Sequence, residues 1–497
     1  MSERKAKLVW ALLGEEDEKK RSFLTMKGFS IIFPNPDLKS RKSKVTSPHY
    51  SKKKRPAKVE TIITNKSPNK MLLTLFILIL AVLGVDLLTL PFLKKITAKV
   101  KPTGRVRRLL DKDTVAGYFL MLCAVVSLLI ANTRWGAGYL KVWSHSIGGH
   151  PFSHWINDGL MAVFFLLVGL ELKRELMYGE LRSRKRAVLP ILAAVGGMLL
   201  PAAIYLALTW GTSVRMGFGI PMATDIAFVL AVLAVLGSRV PKSLKVFLTA
   251  LAVIDDLGAV IVIAVFYTSN FSLIHLLLAL WLVALIFIAG QSVDLRSSGK
   301  RKALIAFSML VGVGVWMLLM RSGVHASVAG VLVALAIPSQ KGVPESPAAR
   351  LERGLHGPVY FFVLPLFILS NMAIPLRELW PAAGLSGLLM QPHIKGIVFG
   401  LLVGKPAGIL LASWAVLKMG WGSMPQGVSA RQLVGASFLG GIGFTMAIFI
   451  SALSFSDGAL MGTAKLAVVA TSVAAAMVGT VVLRVGNNPK SLQPADV

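Results

Sequence analysis

The sequence predicts an all-α, polytopic membrane protein, and three observations support this prediction. Hydrophobic residues make up 55% of the 497 positions, charged residues make up 15%, and the mean hydropathy is +0.69. A soluble core does not need this much apolar surface, so the excess must face lipid. From residue 114 onward, apolar stretches of about 20 residues recur, which is the helix length that crosses a hydrocarbon layer roughly 30 Å thick. Basic residues are concentrated in alternate connections between these stretches, as the positive-inside rule requires.

About twelve stretches have the length and composition of a membrane span. They cover 115–132, 158–178, 188–209, 219–236, 244–267, 273–290, 303–319, 322–338, 356–375, 395–417, 433–455 and 461–483. We expect each to be helical, because a backbone group in lipid must find its hydrogen-bond partner within its own segment. Together they predict a twelve-helix domain over 113–484, followed by a short C-terminal tail over 485–497.

The connections predict the orientation of this domain. Five alternate connections carry the positive charges Arg182, Arg184, Lys185 and Arg186; Arg239, Lys242 and Lys245; Arg296, Lys300, Arg301 and Lys302; Lys341 and Arg350; Lys418 and Arg431. Because basic loops stay in the cytoplasm, we expect both ends of the 113–484 core there. The net charge of +31 therefore indicates membrane topology and no nucleic-acid partner.

The first 112 residues depart from this pattern. Residues 1–70 are polar and basic, and we expect a largely disordered tail. Residues 71–93 form a separate apolar run that contains Asp86; it is an additional span, an interfacial helix, or part of a stretch upstream of the true start of translation. A basic cytoplasmic linker over 94–112 is expected to follow. The single cysteine, Cys123, excludes a disulfide framework and a cysteine-cluster metal site.

Charged side chains well inside apolar helices are costly, which makes each of them a functional candidate. Asp225 follows Gly219, Pro221 and Thr224, and the glycine and the proline weaken the helix at this point. An interrupted helix frees carbonyl groups and dipole ends, and hard cations prefer such oxygen ligands. The sequence therefore predicts a small-cation site at this break.

Asp255 and Asp256 are adjacent in the middle of an apolar stretch. Burial and like-charge repulsion prevent both from staying ionised and unpaired, so at least one holds a proton until a cation or a fixed positive charge replaces it. This predicts competition between H⁺ and a metal cation. Successive helix positions diverge by about 100°, so one side chain can face the ion while the other meets a neighbouring helix. The alternative is a buried structural hydrogen-bonding pair.

Lys405 is the expected partner of this pair, with surface snorkelling of the lysine as the alternative. It lies near the centre of its apolar stretch, between Gly404 and Pro406. A second glycine-rich interruption covers 440–445. Two broken helices, in spans four and eleven, suggest discontinuous crossing helices in an inverted repeat, although glycine in membrane helices also serves close packing.

A charged cluster ends the second span, where Glu171 and Glu175 flank Lys173 and Arg174. It is either an ordinary salt-bridged helix end or, with Glu352 at the start of another span, an electrostatic funnel and proton sensor at a cytoplasmic entrance. His325 lies near another helix start, where a single histidine more often has a structural role than that of a pH switch.

These motifs resemble a known family. The matching segments are Thr224-Asp225, ALAVIDDLGAVI around Asp255-Asp256, GLELKRELM at 169–177, SGVHAS at 322–327, GKPAGI at 404–409 and GGIGFTMAIFI at 440–450. In their order and spacing they are similar to the NhaA sodium/proton antiporters over about 113–484. The resemblance implies an inverted repeat with broken helices, a property for which this family is the standard example.

The resemblance also implies roles for individual residues. Asp256 and Asp255, with Asp225 and Thr224, are the implied ligands of Na⁺ or Li⁺, and Lys405 is the implied partner of Asp255 in the ion-free state. Asp225 is implied to offset the dipole ends of the broken helices. Glu171, Arg174, Glu175 and Glu352 are the implied pH-sensing residues.

At the level of the whole protein, the resemblance implies electrogenic, pH-regulated antiport without a cofactor, in the bacterial inner membrane and often as a homodimer. Two other classes remain open at this point: an intramembrane aspartyl protease, and a cation channel or receptor-like protein. A protease needs its two carboxyl groups on different helices, whereas Asp255 and Asp256 are neighbours on one. A channel would only dissipate a sodium gradient.

Overall fold

The computed structural model describes residues 25–26, 29–30, 112–237, 240–268, 271–293, 297–339, 346–379 and 384–485. The chain divides into two units, Met1–Lys66 and Ser67–Val497. In the first unit the described residues form an antiparallel hairpin of β1 (Thr25–Met26) and β2 (Phe29–Ser30). The predictions for the rest of 1–70, for 71–93, for 94–111 and for 486–497 lie outside the described residues.

The described part of the second unit is almost entirely helical, which confirms the predicted all-α membrane class. Its helices are α1 (Lys112–Ala131), α2 (Gly136–Ser144), α3 (Phe152–Tyr178), α4 (Arg184–Leu208), α5 (Ile226–Leu236), α6 (Lys242–Phe266), α7 (Leu273–Ser292), α8 (Ser298–Ser322), α9 (Val328–Ala336), α10 (Pro347–Asn371), α11 (Leu376–Leu379), α12 (Gly384–Met390), α13 (Pro392–Lys418), α14 (Ala430–Gly440), α15 (Phe444–Ser454) and α16 (Gly458–Val485). The 3₁₀ segments are Glu180–Arg182 and Ser213–Met222. A short hairpin pairs β3 (Ser146–Ile147) with β4 (His150–Pro151).

Eight of the described helices are long and apolar enough to cross a membrane, and three bent helix pairs raise the number to 11 if each pair is one span. The remaining predicted span, 322–338, contains only α9, with nine helical residues. Gly323 ends α8 in the left-handed region at φ 81°, which a glycine adopts without steric cost. At about 1.5 Å per residue, α9 is about 14 Å long and cannot cross the bilayer alone. The count of twelve spans stays a prediction.

Two of the bent pairs are the interrupted helices that the glycine and proline patterns predicted. The 3₁₀ segment Ser213–Met222 meets α5 at 43°, and α14 meets α15 at 40°. The backbone between the first two is extended, with ψ values of 152° at Ala223 and 102° at Asp225. The Asp225 N–H donates to the Ile442 carbonyl at 2.7 Å, so the two breaks lie against each other. The inverted repeat stays a prediction.

Helix α13 reaches this region through a widened turn and a close helix contact. The π-turn Gly400–Gly404 directly precedes Lys405, and Pro406 has no N–H to donate to the preceding turn. A Cβ atom at Gly196 of α4 would lie 2.6 Å from the Cβ of Ala412, so α4 and α13 approach each other over small residues. This packing holds Lys405 in the protein interior.

Candidate ion-binding site

The predicted acidic pair lies in the middle of α6, with Asp255 fully buried and Asp256 3% exposed. The Lys405 ammonium nitrogen lies 2.8 Å from Asp255 Oδ2, and neither side chain is exposed. Lys405 also donates to the carbonyl of Met222, the last residue before the first break. The lysine therefore does not reach the surface, and it links α13 both to α6 and to the broken helix.

Thr224 connects Asp255 to the second broken helix. Its hydroxyl oxygen lies 2.6 Å from Asp255 Oδ2 and 2.8 Å from the carbonyl oxygen of Gly440. A hydroxyl has one proton to donate. If Asp255 is ionised, Thr224 donates to it; if Asp255 is protonated, the carboxyl can donate to Thr224, which then donates to Gly440. The contact therefore accommodates both protonation states of Asp255.

Asp225 caps both broken helices with one carboxylate. Its Oδ1 accepts from the backbone N–H of Phe228 in α5 at 3.0 Å. Its Oδ2 accepts from the backbone N–H of Thr445 in α15 at 3.0 Å and from the Thr445 hydroxyl at 2.6 Å. The positive ends of two helix dipoles thus face one negative charge. Both Asp225 oxygens have protein donors, so its predicted part in cation binding stays a prediction.

Two carboxylate oxygens of the site have no donor. The Oδ1 atoms of Asp255 and Asp256 are buried and lack a hydrogen-bond partner among the described residues. A buried polar atom without a partner is costly, and for a carboxylate the deficit is removed by a proton or a bound cation. These neighbouring orphan oxygens are therefore suited to a small positive ligand.

Formal charges indicate how much positive charge the site can take. Three buried carboxyls face one buried ammonium, that of Lys405. The two helix N-termini on Asp225 contribute about half a positive charge each. If all groups are ionised, roughly one negative charge remains, which one alkali cation can balance. Among the described residues, no group of three or more His, Cys, Asp and Glu side chains is arranged for a resident metal.

The predicted charged cluster lies at one end of α3. Arg174 donates to Glu352 of α10 and lies 3.2 Å from Glu175, so the structure joins two helices that are remote in sequence. Glu171 is one turn closer to the middle of α3. The cluster forms a salt-bridged helix end, and its part in pH sensing stays a prediction.

Sequence reasoning missed one contributor to the site. Thr445 supplies two of the three donors to Asp225, and the signal for it was a hydroxyl residue at the end of the second glycine-rich interruption.

Lys173, in the charged cluster of α3, donates to the carbonyls of Leu335, at 2.8 Å, and Ile337, where α9 ends. A cation at a helix C-terminus is favourable. His325 contacts Ser327 at 2.8 Å and Asp158 at 3.5 Å, away from the acidic pair.

Residues 107–483 match the family described as Na+/H+ antiporter 1. The chain belongs to this family. It is 48% identical to the Na(+)/H(+) antiporter NhaA of Dechloromonas aromatica over 74% of this chain and 92% of that protein. It is 44% identical to the Na(+)/H(+) antiporters NhaA 1 of Flavobacterium johnsoniae and Klebsiella pneumoniae, over 78% of this chain and 98% and 97% of those proteins.

Membership of the Na+/H+ antiporter 1 family confirms the predicted resemblance and places the chain among transporters, not enzymes. The intramembrane protease is thereby excluded. With its many apolar helices, the chain is a multi-span membrane protein. The family match covers the acidic pair, both helix breaks and Lys405.

Proposed function

We propose that the chain is an electrogenic antiporter that extrudes Na⁺ or Li⁺ in exchange for inward H⁺ and so contributes to sodium and pH homeostasis. The observation that carries this proposal is the pair of buried, partnerless Oδ1 atoms on Asp255 and Asp256. Lys405 forms an ion pair with Asp255 at this site. A bound cation would have to compete with the lysine for the Asp255 carboxylate. Transport requires such a site, which holds either a proton or an ion and never both.

In this mechanism the deprotonated pair takes up Na⁺ from the cytoplasm, with Thr224 as a further oxygen ligand. Binding of the cation at Asp255 weakens its contact with Lys405, because the ion and the ammonium compete for one carboxylate. The bundle then exposes the site to the other side, where protons displace the ion. The exchange is electrogenic because Asp255 and Asp256 each take up a proton when the single Na⁺ leaves, so that more protons enter than sodium ions leave.

The arrangement in the membrane is part of the proposal. Both ends of the 113–484 core lie in the cytoplasm of a bacterial cell whose inner membrane holds the protein, because the basic connections share that side. The cluster of Glu171, Arg174, Glu175 and Glu352 then lies at the cytoplasmic entrance and regulates transport with pH. The functional unit is a homodimer.

The decisive test is uphill transport by Asp256→Asn in everted membrane vesicles. The wild-type chain should use a proton gradient to move Na⁺ against its own gradient, and Asp256→Asn should abolish this exchange. Glu378→Gln, which removes an exposed carboxylate on α11, is the matched control and should transport normally. Passive dissipation of the sodium gradient by the wild type would indicate a channel, and native-rate exchange by Asp256→Asn would remove this site from the mechanism.

A further inference from the structure

A second buried lysine lies outside the proposed ion site. Lys465 of α16 is 6% exposed, and its ammonium nitrogen lies 3.0 Å from Asn371 Oδ1. Among the described residues, no carboxylate lies within ion-pair distance of it. A charged ammonium with a single neutral acceptor is poorly compensated in a buried environment. In this conformation the amine is therefore most stable without its extra proton.

The amide contacts of Asn371 have a fixed direction. The Asn371 Nδ2 group donates to Asn157 Oδ1 at 2.8 Å and to the Phe367 carbonyl at 3.0 Å. Both amide hydrogens are thereby used, and the remaining Oδ1 faces Lys465 as an acceptor. The network joins α16, α10 and α3, and it gives the lysine an acceptor without a negative charge.

The network lies at the end of the bundle opposite the Arg174 cluster. Asn157 is near the start of α3, about 26 Å along the helix from Arg174 at 1.5 Å per residue. Asn371 is the last residue of α10, whose first turns carry Glu352. In the proposed orientation this end is extracytoplasmic.

A partly hydrated group adjoins the network. Asn157 lies in the π-turn Ile156–Leu160, a local widening of α3 of the kind that often occurs at functional sites. The next residue, Asp158, is 14% exposed and lies 3.7 Å from His154, which is 33% exposed. On its other side Asp158 faces His325. The partly exposed Asp158 and His154 thus lie next to Asn157 along α3, and Asn157 contacts Asn371 of the network.

Other titratable groups near Lys465 are few among the described residues. His393 of α13 contacts Thr463, two residues before Lys465, at 3.0 Å. Arg377 and Glu378 lie on α11, which packs against α16, and Asp457 lies at the start of α16. None of them forms an ion pair with the lysine in the described part of the chain.

We propose that Lys465, with Asn371 and Asn157, is a second proton-binding site, which takes up a proton from the extracytoplasmic medium when water reaches it and thereby favours opening of that end. The inference rests on the proposed antiport. A proton that binds one conformation better than another shifts the population toward it. External acidity would thus promote the state in which protons can reach the Asp255–Asp256 pair.

The test compares two oriented membrane preparations. In right-side-out vesicles, sodium efflux is measured against external pH at fixed internal pH; in everted vesicles, exchange is measured against cytoplasmic pH at fixed lumenal pH. Every variant experiences the same proton gradient, so a difference between curves comes from the residue. Where proton uptake limits opening, one proton contributes up to about a tenfold rate change per pH unit.

In Lys465→Gln, the rate of sodium efflux should depend less steeply on external pH, by up to about tenfold per pH unit. The midpoint of its exchange rate against cytoplasmic pH should stay that of the wild type. Asn371→Asp gives the lysine a carboxylate partner, keeps it charged, and should flatten the external curve in the same way. Lys395→Gln on α13 is the matched control and should follow the wild type. If Lys465→Gln does not fold, as judged by size-exclusion chromatography, Asn371→Asp alone decides the test.

Parallel external curves for wild type and variants would overturn the second proton site, and so would an equal change in both curves, which indicates a structural lysine. A wild-type chain that exchanges Na⁺ for H⁺ while these variants behave normally contradicts only this inference. A wild-type chain with no exchange in either preparation contradicts the proposed antiport itself.

Discussion

Lys405 and Asp255 form an ion pair of 2.8 Å in which neither side chain is exposed. Removal of one partner leaves an uncompensated buried charge, which typically costs about 3–5 kcal/mol. The pair also lies directly beside two acceptor oxygens without donors. A substitution in this ion pair should therefore change both the stability of the folded protein and the affinity of the site for a cation.

Lys405→Met should lower the thermal stability of the detergent-purified protein by an amount that corresponds to about 3–5 kcal/mol in the free energy of unfolding. Added Na⁺ should restore more stability in this variant than in the wild type, because the ion no longer competes with the ammonium. Lys418→Met, at the exposed end of α13, is the control and should change little. The interpretation is wrong if Lys405→Met unfolds at the wild-type temperature.

Proton and sodium competition at the acidic pair predicts a pH dependence of apparent sodium affinity. If one proton and one Na⁺ exclude each other, then in the range where the proton dominates each unit fall in pH raises the half-saturating Na⁺ concentration about tenfold. The half-saturating concentration rises as the pH falls because protons compete with Na⁺ for the site. Initial exchange rates over a matrix of pH and Na⁺ concentration measure this. A half-saturating concentration that is independent of pH, with only the maximal rate changing, contradicts competition at one site.

The Asp225 carboxylate stabilises the starts of two helices, and a neutral amide cannot do so equally well. In Asp225→Asn, one side-chain oxygen can still accept from one helix, but the amide hydrogens then face the donors of Thr445. Each lost cap costs about 1 kcal/mol, and transport should fall because the breaks are no longer held together. Thermal unfolding and vesicle exchange measure the two effects.

Ser429→Ala provides the matched control for Asp225. Ser429 caps α14 in a capping box with Gln432, at the other end of the same broken span. Its loss should cost a similar free energy of unfolding and leave transport intact. If both cap variants reduce transport in proportion to their loss of stability, Asp225 has only a structural role.

Thr224→Val keeps the shape of the side chain and removes the hydroxyl that bridges Asp255 and Gly440. An unsatisfied buried acceptor costs about 1–3 kcal/mol. We expect slower exchange together with lower stability, and rescue of both by Thr224→Ser, which restores the hydroxyl. Exchange rates in everted vesicles and thermal unfolding measure the effects. Equal behaviour of the valine and serine variants would show that the hydroxyl is not used.

The sequence predicts which charged residues form the site better than it predicts which residues contact them. Glycine and proline marked both helix breaks, because their backbone effects are local, and the two aspartates and Lys405 stood out through the cost of charge in lipid. The partner of Asp225, Thr445, is 220 residues away in sequence, and no local pattern specifies such a contact. Lys465 was missed because it lies near the start of its apolar stretch, where a lysine usually reaches water.

The Arg174 contact with Glu352 should matter more for regulation than for stability. The Arg174 side chain is 49% exposed, although that of Glu352 is only 11% exposed. Because water screens the arginine, we expect the pair to contribute about 0–1 kcal/mol. Glu352→Gln should therefore leave the unfolding temperature nearly unchanged and displace the pH profile of exchange measured in everted vesicles. The charge-reversed pair Arg174→Glu with Glu352→Arg should bring the profile back toward that of the wild type. An unchanged pH profile in Glu352→Gln would show that the cluster is an ordinary salt-bridged helix end without a role in regulation.

Close packing of α4 on α13 should be necessary for the position of Lys405. A Cβ atom at Gly408 would lie 2.7 Å from the carbonyl carbon of Gly196 and 3.1 Å from the Cβ of Leu200, so Gly408→Ala must push the helices apart. Overpacking of this kind costs about 1–3 kcal/mol, and the displaced Lys405 should pair less well with Asp255. We expect lower stability and slower exchange. Gly354→Ala on α10, where a Cβ meets no atom within 4 Å, is the control. It should be neutral or stabilise by up to about 1 kcal/mol, and full exchange by Gly408→Ala would show that the site tolerates a shift of α13.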